Sequence, residues 1–111
     1  MGLIIQLPSW FYDELHAMGK GKKSYANDRR KLNRKLKKAG IEFEWNYLFD
    51  GYKWTFPKFP NGDAVIHSTS YNSRYGHFET MGMPWDIDDV SVLTANQLIA
   101  RMRVEMKYEK V

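Results

Sequence analysis

"IEFEWNYLFDGYKWTF", residues 41–56, decides the fold. Ile41, Phe43, Trp45, Tyr47 and Phe49 alternate with Glu42, Glu44 and Asn46, the period of two expected of a strand with one buried face. Asp50-Gly51 is a dipeptide favoured in two-residue type I′ turns, whose central residues both need positive φ. A turn at that position sets Phe49 opposite Tyr52, Tyr47 opposite Trp54 and Trp45 opposite Phe56. Every pair is aromatic, and all lie on the side of Phe43. Turn chemistry and cross-strand chemistry agree, which predicts an antiparallel hairpin with an aromatic face.

Working outward, Pro57 has no amide hydrogen for a ladder and marks an edge or the end of the second strand. "FPNGD" (residues 59–63) carries a second turn signal, predicting a third strand over 64–70. A fourth, shorter strand is expected over 77–81, after the loop "YNSRYG". At the C-terminal end, Thr94 and Gln97 have the spacing of a capping box, with Leu93 and Leu98 placed as a hydrophobic staple. Leu98, Ile99, Met102 and Met106 supply the apolar stripe of that helix. On the N-terminal side, Leu3 to Leu7 reads as a short strand or an apolar arm. "PSWFYDELHAMG" (residues 8–19) reads as a helix burying Phe11, Leu15 and Met18, ended by Gly19. A second helix follows, with Ser24 as its candidate cap and Gly40 as its terminator. The expected architecture is a single α+β domain over residues 1–111. It comprises an N-terminal helical hairpin, an antiparallel sheet of three to four strands and a C-terminal helix, with the helices packed on one sheet face.

The second helix holds most of the charge. Residues 20–38 contain ten of the seventeen Lys and Arg against one acid, Asp28, so the segment carries +9. With a net charge of +4, the rest of the chain carries −5. Such an asymmetry steers an anionic partner to one surface. On a helical wheel Tyr25, Leu32, Leu36 and Ala39 form a docking stripe about 60° wide, with Arg30, Arg34 and Lys37 opposite. Arg30/Arg34, Lys31/Lys35 and Arg34/Lys38 are like-charged pairs at i, i+4, each costing roughly 0.2–0.5 kcal/mol at low salt. A solvated helix selected for solubility is one reading of this charge. The favoured one is an anion-binding face formed by Lys22, Lys23, Arg29, Arg30, Lys31, Arg34, Lys35, Lys37 and Lys38. Its expected partner is RNA or DNA; an acidic protein groove satisfies the same residues.

Other features carry less. The aromatic alternation of residues 43–56 reads as core rather than as a base-stacking platform, since the opposite face holds Glu42, Glu44, Lys53 and Thr55. His67, His77 and Glu79 fall on neighbouring strands and are the candidates for a metal or a general base. They lack a recognised ligand spacing, so no metal, cofactor or catalytic residue is assigned and the protein is read as a non-enzyme. A second partner surface is expected from Tyr71, Arg74 and Tyr75 together with the acidic loop of Asp86, Asp88 and Asp89. That loop lacks the glycine and distal glutamate of a calcium loop. With no cysteine and no apolar run of membrane-spanning length, the chain is expected to be a soluble cytoplasmic protein.

The second half of the chain resembles a group of small phage and prophage proteins of unassigned function. The resemblance rests on Trp54-Thr55-Phe56-Pro57, Gly62-Asp63, His67, Pro84-Trp85-Asp86 and Asp89-Val90. It implies a phage accessory protein acting in the host cytoplasm. By size and charge that is similar in kind to anti-CRISPR inhibitors, non-enzymatic proteins that block a nuclease by binding it or its guide, which implies a nucleoprotein nuclease such as a CRISPR effector as the partner. The order βααβββ also resembles ribosome-dependent toxins of the RelE type. The arginine-rich strands of such a ribonuclease have only Lys53, Lys58 and Arg74 to match them here.

Overall fold

In the computed structural model the structure describes residues 25–68 and 74–109. The expected first strand, the first helix, Ser24, and the contacts assigned to Lys22, Lys23 and Tyr71 lie outside them.

Within that span the α+β expectation holds. Helix α1 (Ala26–Ala39) is followed by strands β1 (Glu44–Leu48), β2 (Gly51–Phe56), β3 (Phe59–His67), β4 (Phe78–Met81) and β5 (Ser91–Leu93), then helix α2 (Ala95–Glu109). The strands form one antiparallel sheet in the order β1-β2-β3-β4-β5. The fifth strand exceeds the expected three to four. Its three residues, Ser-Val-Leu, are too few to display a period, and it forms by pairing Leu93 with Phe78 and Ser91 with Thr80.

The first hairpin forms, with a shifted register. Tyr47 pairs with Tyr52, Trp45 with Trp54, and Leu48 with Gly51, so the two turn residues are Phe49 and Asp50. No residue other than glycine has positive φ among those described, and Gly51 does not either, so the turn is not type I′. The glycine is needed for another reason. A Cβ on Gly51 would lie 1.9 Å from the carbonyl oxygen of Ile66 on β3. The shift moves pairing by two residues, so the aromatic face is preserved. Only Phe49 is displaced, from an expected cross-strand partner to an 86 % exposed turn residue.

The second hairpin is also displaced. It turns at Pro57 and Lys58, where Phe56 pairs with Phe59. Asn61-Gly62 is not a turn but part of an irregularity in β3, since Thr55 already pairs with Asp63. Two turn signals four residues apart compete, and Pro57, unable to continue the ladder, closes the hairpin.

One sheet face is covered. Tyr52, Trp54 and Phe56 of β2, Ala64 and Ile66 of β3, Phe78 of β4 and Leu93 of β5 are buried in one cluster with Leu32 and Leu36 of α1 and Leu98, Ile99 and Met102 of α2. Edge-on ring contacts run through it, Trp45 to Tyr52 at 5.9 Å and Trp54 to Phe78 at 5.3 Å, which is the favoured aromatic geometry. The aromatic alternation is therefore core at Tyr52, Trp54 and Phe56, packed against the core at Phe43, Trp45 and Tyr47, and exposed at Phe49. The other face carries Glu44, Lys53, Thr55, Asp63, His67 and Glu79, none of them buried. Lys53 and Asp63 form an ion pair at 3.6 Å there.

Both helix ends of interest are capped as physical chemistry requires. Gly40 adopts the left-handed conformation (φ 71°), with Gly40 N–H donating to the Lys37 carbonyl and Ile41 N–H to that of Leu36, a Schellman motif. At the start of α2, Gln97 N–H donates to Thr94 Oγ1 at 3.2 Å and Thr94 N–H donates to Gln97 Oε1 at 2.9 Å. This is the expected capping box, and both staple leucines are buried.

Candidate functional site

Helix α1 buries more than its narrow apolar stripe. Tyr25, Leu32 and Leu36 face the core as expected, but so do Asp28 and Arg29. Arg29 is a correction to the expected binding face, because only 4 % of it is exposed. Its guanidinium lies 4.6 Å from the centroid of the Trp45 ring and 5.3 Å from that of Tyr52. A wheel puts Arg29 four residues after Tyr25 and three before Leu32, on the apolar side. The aromatic faces beneath it attract the cation. Asn33 makes the next contact, its Oδ1 accepting from the buried Trp54 indole N–H at 2.7 Å.

The remaining basic residues stand in solvent. Arg30, Lys31, Arg34, Lys35, Lys37 and Lys38 are all exposed. Lys31, Arg34, Lys35 and Lys38 line a shallow groove of about 390 Å³. No carboxylate lies among its lining residues. Six cations on just over two turns of helix, with none of the usual i, i+4 acids, make the most concentrated positive surface among the described residues.

At the N-terminal end of α1 the structure ties the helix to the β3–β4 connection. Asp28 accepts a hydrogen bond from Gly76 N–H at 3.1 Å, and the rings of Tyr25 and Tyr75 are 5.4 Å apart. Burial pushes the Asp28 carboxyl above its ordinary range, against the opposing pull of the Gly76 amide, Lys31 and His77. Burial likewise raises the Tyr25 phenol, helped by the nearby Tyr75, Asp28 and Asp50.

The two described histidines have different polar partners. His67 Nδ1 lies 3.3 Å from Asp50 Oδ2, at the tip of the first hairpin. His77 Nδ1 lies 3.0 Å from the Tyr75 carbonyl oxygen. Among the described residues no group of three or more His, Asp or Glu is placed to hold a metal ion. The buried Asp50 carboxylate beneath His67 is a contact that sequence spacing does not reveal, since it depends on the shifted hairpin register.

The expected second surface is divided. Arg74 and Tyr75 sit before β4, beside the N-terminal end of α1, whereas Asp86, Asp88 and Asp89 follow β4 at its other end. Asp86 has a structural role. Its Oδ1 accepts from Thr80 Oγ1 at 3.1 Å and its Oδ2 from Met83 N–H at 3.2 Å. Trp85 Nε1–H donates to the same threonine oxygen at 3.0 Å. Thr80 is fully buried, so the Trp85-Asp86 dipeptide closes the β4–β5 connection over a polar group that would otherwise be costly to bury. Of the three, only Asp88 and Asp89 are exposed, directly after the exposed Ile87.

No described helix is long and apolar enough to cross a membrane. No protein-family model, curated protein or solved structure matches this chain.

Proposed function

We propose that this protein is a non-enzymatic binder that uses the solvent face of α1 to engage a nucleic acid, alone or within a nucleoprotein. The observation that carries this reading is the exposure of Arg30, Lys31, Arg34, Lys35, Lys37 and Lys38 on one helix whose opposite side is anchored in the core. The guanidinium forks of Arg30 and Arg34 suit bidentate contact with phosphate oxygens, and the lysines act as point charges around them. A rigidly docked helix presents these groups without a folding cost at the moment of binding. In the phage accessory role that the sequence pattern suggests, such a face would occupy the nucleic acid or guide of a host nuclease and so inhibit it.

Fluorescence anisotropy with labelled DNA and RNA tests the reading, comparing wild type with the variant Arg30→Glu, Arg34→Glu, Lys37→Gln, Lys38→Gln. These side chains are exposed, so the variant should retain the wild-type melting transition while losing nucleic-acid binding. A folded variant that binds as well as wild type contradicts the proposal.

A further inference from the structure

We infer that the binding surface is a groove between two helices rather than the face of one, and that it seats the phosphate backbone of a nucleic-acid duplex irrespective of sequence. This rests on the reading that α1 binds nucleic acid. It adds a second wall, Arg103 and Lys107 of α2.

The two helices pack against each other, and Asp28 near the start of α1 shares a cavity with Thr94 and Ala95 at the start of α2, so both begin at the same end of the sheet. Their mutual orientation follows from the residues that share a cavity. Lys31 and Lys35 of α1 line one together with Ala95 and Asn96 of α2, so these are the flanks that meet. Glu105 lies on the other flank of α2, in a cavity with Pro84 and Gly82 of the β4–β5 connection. Residues seven and eleven positions after Asn96 fall on the same side of a helix. They are Arg103 and Lys107, and both are exposed. Lys38 stands seven residues after Lys31, as Arg103 does after Asn96, so both walls rise about 10 Å and Arg103 comes alongside Lys38. Arg101, four residues before Glu105, belongs to the far flank.

The groove therefore has Lys31, Lys35 and Lys38 on one side and Arg103 and Lys107 on the other. Packed helices lie about 8–10 Å apart, a width suited to a single ridge of phosphates contacted from both sides. A duplex presents such a ridge already ordered, whereas a single strand must be ordered on binding. Single-strand binders offset that cost by stacking bases on aromatic rings. Among the described residues these walls carry no ring. The half-buried Phe43 and Trp45 lie along the other flank of α1, in company with Glu42 and Glu44, whose carboxylates repel phosphate. An acidic protein partner is also disfavoured, because protein interfaces depend on apolar or aromatic anchors and the walls present only cations.

The test uses the full chain, a mixed-sequence DNA duplex of about 20 base pairs and its single strand, titrated between low and moderate salt. The variant Arg103→Gln, Lys107→Gln should bind the duplex about tenfold more weakly at low salt. Its slope of log affinity against log salt should be shallower by about 2, one step per lost phosphate contact. Arg103→Lys, Lys107→Arg should restore both, and Arg101→Gln should change neither. If the α1 variant loses binding while Arg103→Gln, Lys107→Gln matches wild type, the groove is wrong and the single-helix reading stands. Preference for the single strand, or equal binding of polyglutamate, overturns the duplex assignment. If wild type binds no nucleic acid at all, both readings fall together.

Discussion

Three residues show how far a side chain's role departs from its type. Gly51 stands in a dipeptide suited to a primed turn, yet it serves as a strand residue that lets β3 approach, its absent Cβ leaving room for the Ile66 carbonyl. Gly51→Ala should therefore destabilise the protein by about 2 kcal/mol or more through overpacking, measured by urea unfolding. A neutral result would mean that β3 has room to move. Arg29 belongs by type to the basic face and by position to the core. Arg29→Ala should lower stability by about 1–2 kcal/mol, the loss of a desolvated cation–π contact, and leave nucleic-acid affinity of the folded protein within about twofold. Lost binding with an unchanged melting transition would return Arg29 to the binding face. Asp28 holds its proton to a higher pH in the folded protein than its ordinary value of 3.8. Below 3.8 both states are protonated. As pH rises through the raised folded value, the buried carboxyl must ionise and the stability it contributes is lost. Asp28→Asn keeps an acceptor for Gly76 and removes that loss, so its stability relative to wild type should increase from pH 4 to pH 7. Parallel pH profiles would contradict the assignment.

Elements were legible where one period dominated. The amphipathic stripes of α1 and α2, the capping box at Thr94 and Gln97 and the alternation in β1 and β2 all appear in the structure. Features decided by contacts distant in the chain were not legible. The register of the first hairpin depends on the fit of Gly51 against β3, and the second turn on Pro57 prevailing over Asn61-Gly62. β5 exists only because β4 offers an edge to pair with. The same holds for the candidate site. Arg30, Arg34 and the lysines of α1 could be placed by a wheel. Arg103 and Lys107 needed the knowledge that α2 lies beside α1, and Asp86 the knowledge that Thr80 is buried beneath it. Two buried polar contacts between elements give tests at this scale. Asn33→Ala removes the acceptor of the Trp54 indole N–H, the link from α1 to β2. It should cost about 1–3 kcal/mol, the penalty for an unsatisfied buried donor. Thr80→Val should cost a similar amount, because it leaves both the Trp85 indole and the Asp86 carboxylate short of a partner. Thermal or urea unfolding reads both, and a change below about 0.5 kcal/mol, the scale of ordinary surface substitutions, would show that these contacts do not hold the elements together.

At the scale of the molecule, charge is separated across the two layers. The helix layer carries the exposed cations of α1, with Arg103 and Lys107 beside them, while the uncovered sheet face carries Glu44, Asp63 and Glu79 with Lys53. The direction is that of the sequence asymmetry, +9 in residues 20–38 and −5 in the remainder. It orients an approaching polyanion toward the helices and away from the sheet. The central claim is that the exposed cations of α1 neutralise phosphates, and the salt dependence of duplex binding tests it most directly. Six contacts from Arg30, Lys31, Arg34, Lys35, Lys37 and Lys38 predict that log affinity falls against log salt with a slope of about −5 from α1 alone, and of about −7 with Arg103 and Lys107 added. A slope near zero, or one unchanged when Arg30, Arg34, Lys37 and Lys38 are neutralised, would contradict it.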